Sequence, residues 1–188
     1  MIQRRCFLTG CAATLALPSL ARAAQEPFDI QPQYVWTRRE FDMALEPGQI
    51  LIVPSRFYLY LVTDKRKAIR YGVAVGKEGL EFRGTAVVQV KKEWPTWRPT
   101  PEMIKRDPRT YRKFVDNDYV QPGGPGNPLG ARALYLFQDG RDTGVRIHGT
   151  IAPETIGTAG SNGCFRMINE HVMDLYTRVP VGTPVTVL

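Results

Sequence analysis

Proline and glycine decide where this chain can form regular structure. Seven of its 15 prolines and four of its 17 glycines stand between positions 94 and 130. They fall in strings such as Trp94-Pro95-Thr96-Trp97-Arg98-Pro99-Thr100-Pro101 and Pro122-Gly123-Gly124-Pro125-Gly126-Asn127-Pro128. Each proline lacks a backbone donor and clamps its own φ, so neither a central strand nor a long helix can run through the segment. The expected result is a stiff surface excursion with short helical turns in 101–119 and turns alone in 122–128. The fold must be assembled from what lies before and after it.

Before it, β-branched and aromatic runs at 50–53, 57–62, 68–75 and 85–90 read as strands, punctuated by Asp64-Lys65, Gly76, Gly79 and Gly84. After it, 131–137 and 145–148 read as a strand pair around Asp139-Gly140, and 184–188 as a closing strand. One helix is expected: Asn169 is a good N-cap, Val172, Leu175, Tyr176 and Val179 form an i, i+3, i+4, i+7 stripe, and Pro180 and Gly182 end it. The expected fold class is mainly β, sandwich- or barrel-like, with one C-terminal helix and a long Pro/Gly-rich loop region. At 188 residues the chain suits one domain, placed at 48–188. A polar arm over 24–47 precedes it, with Tyr34 and Trp36 as its anchors.

Residues 1–23 read as an export signal. Arg4 and Arg5 open it, an apolar stretch covers 7–20, and Ala21-Arg22-Ala23 gives the small-x-small cleavage pattern. The run Arg4-Arg5-Cys6-Phe7-Leu8 and the modest hydrophobicity point to the twin-arginine route and a periplasmic protein. Leu8-Thr9-Gly10-Cys11 looks like a lipobox, but most of the apolar region follows Cys11 instead of preceding it. No run approaches the ~18 apolar residues of a membrane-spanning helix. Cleavage removes three arginines and no acid, leaving 22 basic against 18 acidic side chains. That mild excess suits an anionic wall polymer, and its scattered distribution argues against a nucleic-acid partner. Cleavage also removes Cys6 and Cys11, so Cys164 remains as the only thiol.

A lone thiol in an oxidising compartment is either buried and inert or reactive. The turn Ser161-Asn162-Gly163-Cys164 places it where successive backbone N–H groups converge on an oxyanion. A cysteine nucleophile needs an imidazole to take its proton. Of two histidines, His171 falls on the expected helix as a solvated position, whereas His148 ends a strand and precedes Gly149, whose carbonyl is free to fix the ring's tautomer. The chemistry implied is acyl transfer through a thioester. Two histidines and one cysteine without paired spacing give no metal site, and no phosphate-binding glycine loop is present, so no cofactor is expected.

The strings Ile147-His148-Gly149-Thr150, Ile156-Gly157 and Ser161-Asn162-Gly163-Cys164-Phe165-Arg166-Met167 resemble the signature of the L,D-transpeptidase catalytic domain, YkuD type. Asn127-Pro128-Leu129-Gly130-Ala131 and the Trp94–Pro101 segment are similar to stretches upstream of that site. Asn162 departs from the pattern, since many members carry His there. The resemblance implies Cys164 as nucleophile, His148 as base and then acid, and the Gly149 carbonyl as orienting third member. Backbone N–H groups of Asn162, Gly163 and Cys164 would form the oxyanion hole. Arg166, Ser161 and Thr150 would support the site or contact substrate, with Trp94 and Trp97 on a substrate-side loop. The implied substrate is the tetrapeptide stem of peptidoglycan, passed to an amine acceptor: another stem, or the N-terminus of an outer-membrane protein. Covalent capture by carbapenems is implied as well. Hydrolysis of the same acyl-enzyme, as in an L,D-carboxypeptidase, and a non-catalytic wall-binding module are the competing readings.

Overall fold

The computed structural model describes residues 30–36, 41 and 45–188; the expected export signal lies outside them. Nine strands form one sheet in the order β1-β4-β3-β2-β11-β6-β7-β8-β10, and a short parallel pair, β5-β9, lies beside it. The strands are β1 (Gln33–Trp36), β2 (Ile50–Val53), β3 (Tyr58–Asp64), β4 (Lys67–Gly72), β5 (Val75–Gly76), β6 (Gly84–Glu93), β7 (Arg132–Gln138), β8 (Arg141–His148), β9 (Ala159–Ser161), β10 (Phe165–Arg166) and β11 (Pro184–Val187). The main helix is α2 (Asn169–Arg178), and α1 (Pro101–Arg106) is a short one in the excursion. The architecture is mainly β, as expected.

The unbroken apolar run of β2 follows from its position. Ile50 and Ile52 join the main core, while Leu51 and Val53 face a second cluster with Leu45, Tyr60, Val62 and Ala68. A strand buried on both faces carries no polar alternation. The arm helps to cover the second cluster: β1 pairs antiparallel with β4, and Phe41 packs edge-on against Tyr60, 4.9 Å between ring centres. Tyr34 is 72% exposed and therefore no anchor; the Trp36 side chain lies outside what is described.

The main core is closed by α2, whose Val172 and Leu175, with the C-cap Val179, are buried on the sheet and whose Tyr176 lies at the edge. Lys91 of β6 donates from Nζ to the carbonyls of Tyr176 and Val179, both at 2.6 Å, satisfying the helix C-terminus. Two expectations for α2 are corrected. The N-cap is Ile168, which makes no side-chain cap bond, and Asn169 is the first helical residue. His171 is buried, because its ring turns inward toward Tyr71 of β4. Its Nδ1 has no hydrogen-bond partner among the described residues, and burial lowers its pKa. Tyr71 instead donates to Asp174 at 2.6 Å.

Strand β8 begins four residues earlier than expected. Asp139 and Gly140, both at positive φ, make a two-residue hairpin turn. The ladder then slips between Tyr135 and Phe137, with extra residues of β8 bulging around Gly144. That bulge breaks the period-two pattern from which the strand start was read.

The excursion is closed on itself. Trp97 and Gln121 exchange backbone hydrogen bonds at 2.9 and 2.8 Å. Inside the loop, Trp97 packs edge-on against buried Phe114 at 5.2 Å, with Tyr111 and Tyr119 alongside. Arg98 donates to the carbonyls of Tyr119, Phe114 and Asn117. Thr100 caps α1 by accepting from Met103 N–H at 3.3 Å. A proline-rich segment with its own aromatic centre is a built element and not a tether.

Candidate active site

Strand register assembles the site. Parallel pairing of β10 with β8 sets Phe165 beside Ile147 and Arg166 beside His148. Ile147 and Phe165 point into the core. By the two-residue period of a strand, Arg146, His148 and Arg166 therefore share the opposite face, and Cys164 immediately precedes β10, where the charges of Arg146 and Arg166 act on it as they do on His148. A turn of Ala74 bonds Arg166 backbone to backbone in both directions at 2.9 Å, holding β10 from its other side.

His148 is buried, and its Nδ1–H donates to the Gly149 carbonyl at 2.6 Å. Burial pushes its pKa down to about 4, helped by the charges of Arg166 and Arg146 and opposed by the carbonyls of Gly149 and Leu129. The ring is therefore neutral at neutral pH, with Nδ1 as its donor and Nε2 as its basic nitrogen. Cys164 is a half-buried free thiol. Its Sγ donates to the Gly144 carbonyl at 3.9 Å, the carbonyl that the β8 bulge turns toward it. Burial pushes the thiol pKa up, while the Arg146 backbone N–H and the guanidinium groups of Arg146 and Arg166 pull it back. The resting pair is thus uncharged, and the sulfur's hydrogen bond is to Gly144 instead of to the imidazole.

The turn before the thiol is stitched by Ser161. Its buried hydroxyl donates to the Cys164 carbonyl at 2.5 Å and accepts from Gly163 N–H at 3.2 Å. Gly163 sits at φ +109°, and a Cβ there would lie 2.9 Å from the Leu80 carbonyl, so no side chain fits. Of the three N–H groups expected in an oxyanion hole, that of Gly163 is engaged by Ser161. Thr150 is buried, and its Oγ1 accepts from Ala152 N–H at 3.1 Å while its carbonyl receives Asn169 Nδ2. Ser161 and Thr150 both shape the site's turns.

Asn162 Oδ1 accepts from Arg106 Nη1 at 2.8 Å, joining the end of α1 to the turn that carries the thiol. Arg166 makes no ion pair among the described residues, whereas Arg146 holds Asp142 through two bonds at 2.6 and 2.7 Å and stacks 3.9 Å over Tyr135. Trp94 is 45% exposed at φ +41°, its N–H bonded to the Ala131 carbonyl. Trp97 belongs to the excursion's own packing. Sequence reasoning passed over Arg146, Gly144 and Arg106 and read Asn169 only as a helix cap. Arg146 was within reach, because it stands two residues before His148 on one strand and so shares its face. Gly144 and Arg106 left no such signal, since a bulge and a contact across 56 positions set them.

The L,D-transpeptidase catalytic domain model, YkuD, matches residues 47–187. The chain belongs to the L,D-transpeptidase catalytic domain family. It is 38% identical over 187 residues to a protein of Fuscovulum blasticum named as an L,D-transpeptidase, covering 96% of this chain and 92% of that one. It is 34% identical over 144 residues to an Escherichia coli protein named as the L,D-transpeptidase ErfK/SrfK, covering 75% of this chain and 44% of the relative. The L,D-transpeptidase domain thus spans most of the first relative but less than half of the second. Among solved structures, an Enterococcus faecium L,D-transpeptidase shares the fold at a TM-score of 0.56 and 21% identity, over 77% of this chain and 50% of that one. A Brucella melitensis chain described as a carnitine operon oxidoreductase is 56% identical, with a TM-score of 0.55, over 84% of this chain and 93% of that one. Among the described residues of this L,D-transpeptidase family member, no helix is long and apolar enough to cross a membrane.

Proposed function

We propose that this chain is an exported, periplasmic peptidoglycan L,D-transpeptidase that works through a Cys164 thioester. The observation that carries the reading is the pairing of β10, which Cys164 immediately precedes, with the His148 end of β8, together with the commitment of His148 Nδ1–H to the Gly149 carbonyl. That commitment leaves Nε2 as the base.

The thiol leaves the Gly144 carbonyl and gives its proton to His148 Nε2 as sulfur attacks the stem carbonyl. Charge on the oxygen is met by the N–H groups of Asn162 and Cys164, since that of Gly163 serves Ser161. His148 then returns the proton to the amine of the departing terminal residue, and the carbon–nitrogen bond breaks to leave the thioester. An acceptor amine attacks next, its proton passes to His148, and the thiolate takes that proton back as the new amide forms. Arg166, free of any ion pair among the described residues, faces this path and suits a substrate carboxylate. A neutral resting pair becomes charged only during attack, so burial does not have to hold an ion pair in the ground state. The acceptor is the side-chain amine of a second stem, with an outer-membrane protein's N-terminus as a second acceptor class.

The test is mass spectrometry of products from the mature chain and purified tetrapeptide stems, with one carbapenem adduct sought on the Cys164 peptide. Cross-linked dimer and a single adduct are expected, and both vanish in Cys164→Ala. Hydrolysed stem alone would replace transfer by carboxypeptidase action. An unmodified Cys164 and untouched stems from folded protein would defeat the enzymatic reading and leave a wall-binding module.

A further inference from the structure

Asn169 is the first residue of α2, and its carboxamide is spent outside the helix. Oδ1 accepts from Ala131 N–H at 3.0 Å, and Nδ2 donates to the Thr150 carbonyl at 3.0 Å. The same Oδ1 fills the space of two missing side chains: a Cβ on Gly149 would lie 2.1 Å from it, and one on Gly130 2.2 Å. One amide therefore packs against Gly149, bonds the next residue, and ties both to the segment leading into β7. Gly149 is also the residue whose carbonyl receives His148 Nδ1–H at 2.6 Å.

We infer that Asn169 is a positioning residue that fixes the tautomer and ring orientation of His148: by packing behind Gly149 and holding the Thr150 carbonyl, it braces both ends of the peptide whose carbonyl receives His148 Nδ1–H. A glycine peptide with no such brace can rotate, because glycine has access to most of φ/ψ space. Rotation would withdraw the Gly149 carbonyl from His148 Nδ1–H and let the proton move to Nε2, the nitrogen needed as base. A supporting partner that holds a catalytic ring's acceptor acts through geometry, and displacements of about 1 Å at that distance cost up to ~100-fold in rate.

The inference rests on the proposed function only where it predicts rate, so its test has a separate spectroscopic arm. In 15N-labelled protein at pH 7, long-range 15N–1H correlation should show His148 as one Nδ1–H tautomer. Asn169→Ala should give mixed tautomers and acylation by imipenem slowed by roughly ten- to a hundredfold. Asn169→Asp guards against a folding defect: an acid in the first turn favours the helix and keeps the acceptor for Ala131 N–H, but it cannot donate to Thr150. It should show the same mixed tautomers in a folded protein. Because Gly149→Ala disturbs the same clamp, combining it with Asn169→Ala should slow acylation no further than the worse single change. A single Nδ1–H tautomer in folded Asn169→Asp, or acylation within about twofold of the parent, would overturn the inference and reduce the contact to loop packing. Failure of the parent protein to react with imipenem would count against the proposed function alone, since the tautomer of His148 would still be read directly.

Discussion

At the scale of residues, the same burial that tunes the site also makes the fold sensitive to acid. His148 has an ordinary pKa of 6.5 and a folded value of about 4. Above pH 6.5 both folded and unfolded chains hold the ring neutral, and stability is full. As the pH falls from 6.5 to about 4, the unfolded chain takes a proton that the folded chain refuses, so stability declines across that window. The loss is about 3 kcal/mol at most for a shift of this size. His171 contributes in the same direction, its pKa also lowered by burial. Urea unfolding of His148→Gln at pH 7 and pH 4.5 should therefore show a smaller drop in midpoint than the parent protein shows. An equal drop would mean that His148 is more exposed to water than the structure has it. At this scale the sequence was informative about Cys164, His148 and Gly149, since a lone thiol and a strand-ending histidine before glycine are rare enough to notice. It misassigned His171 and Asn169, because a helical position does not say which face will meet Tyr71 or the Gly149 turn.

Among the elements, the excursion and the helix behave differently from their sequence signatures. The excursion is stiffened by Trp97 on Phe114 and by Arg98 on three carbonyls, and it reaches the thiol-bearing turn through Arg106 and Asn162. Trp97→Ala should loosen it from within, at a cost of about 3 kcal/mol in local packing. Arg106→Ala should release it from the turn while leaving its aromatic centre intact. Both changes should lower cross-linked dimer relative to hydrolysed tripeptide more than they lower carbapenem acylation of Cys164, because a cover that moves admits water to the thioester. The ratio of the two products by mass spectrometry is the readout, and an unchanged ratio in folded variants would make this segment plain packing on the sheet. Element existence was legible because Pro and Gly punctuate so strongly: the strand at 85–90 and the stripe of α2 follow from periodicity, and the strand at 50–53 from its short β-branched apolar run. The short β9 and β10 and the early start of β8 were not, since two- or three-residue strands have no period and a bulge erases one.

In the whole molecule, the site and the arm occupy opposite ends of one nine-stranded sheet, β10 at one edge and β1 at the other. Removing everything before residue 45 should strip Phe41 and β1 from the second apolar cluster and lower the melting temperature by several degrees, as loss of roughly 1–2 kcal/mol does in a domain of this size. The rate at which iodoacetamide alkylates Cys164 should stay the same, because the main core between the two ends is untouched. A changed rate would reveal coupling across the sheet. Sequence by itself determined the class of fold, the interrupted middle and the family signature, and it singled out Cys164 and His148 as candidates for the reacting pair, all of which depend on local composition or on residues close along the chain. Tertiary structure alone decided the rest: that β10, just after Cys164, runs beside the His148 end of β8, that Gly144 receives the thiol, and that Asn169 braces Gly149. Those outcomes follow from hydrogen-bond register and close packing between segments tens of residues apart, and no pattern within a single segment encodes a contact whose other half lies elsewhere.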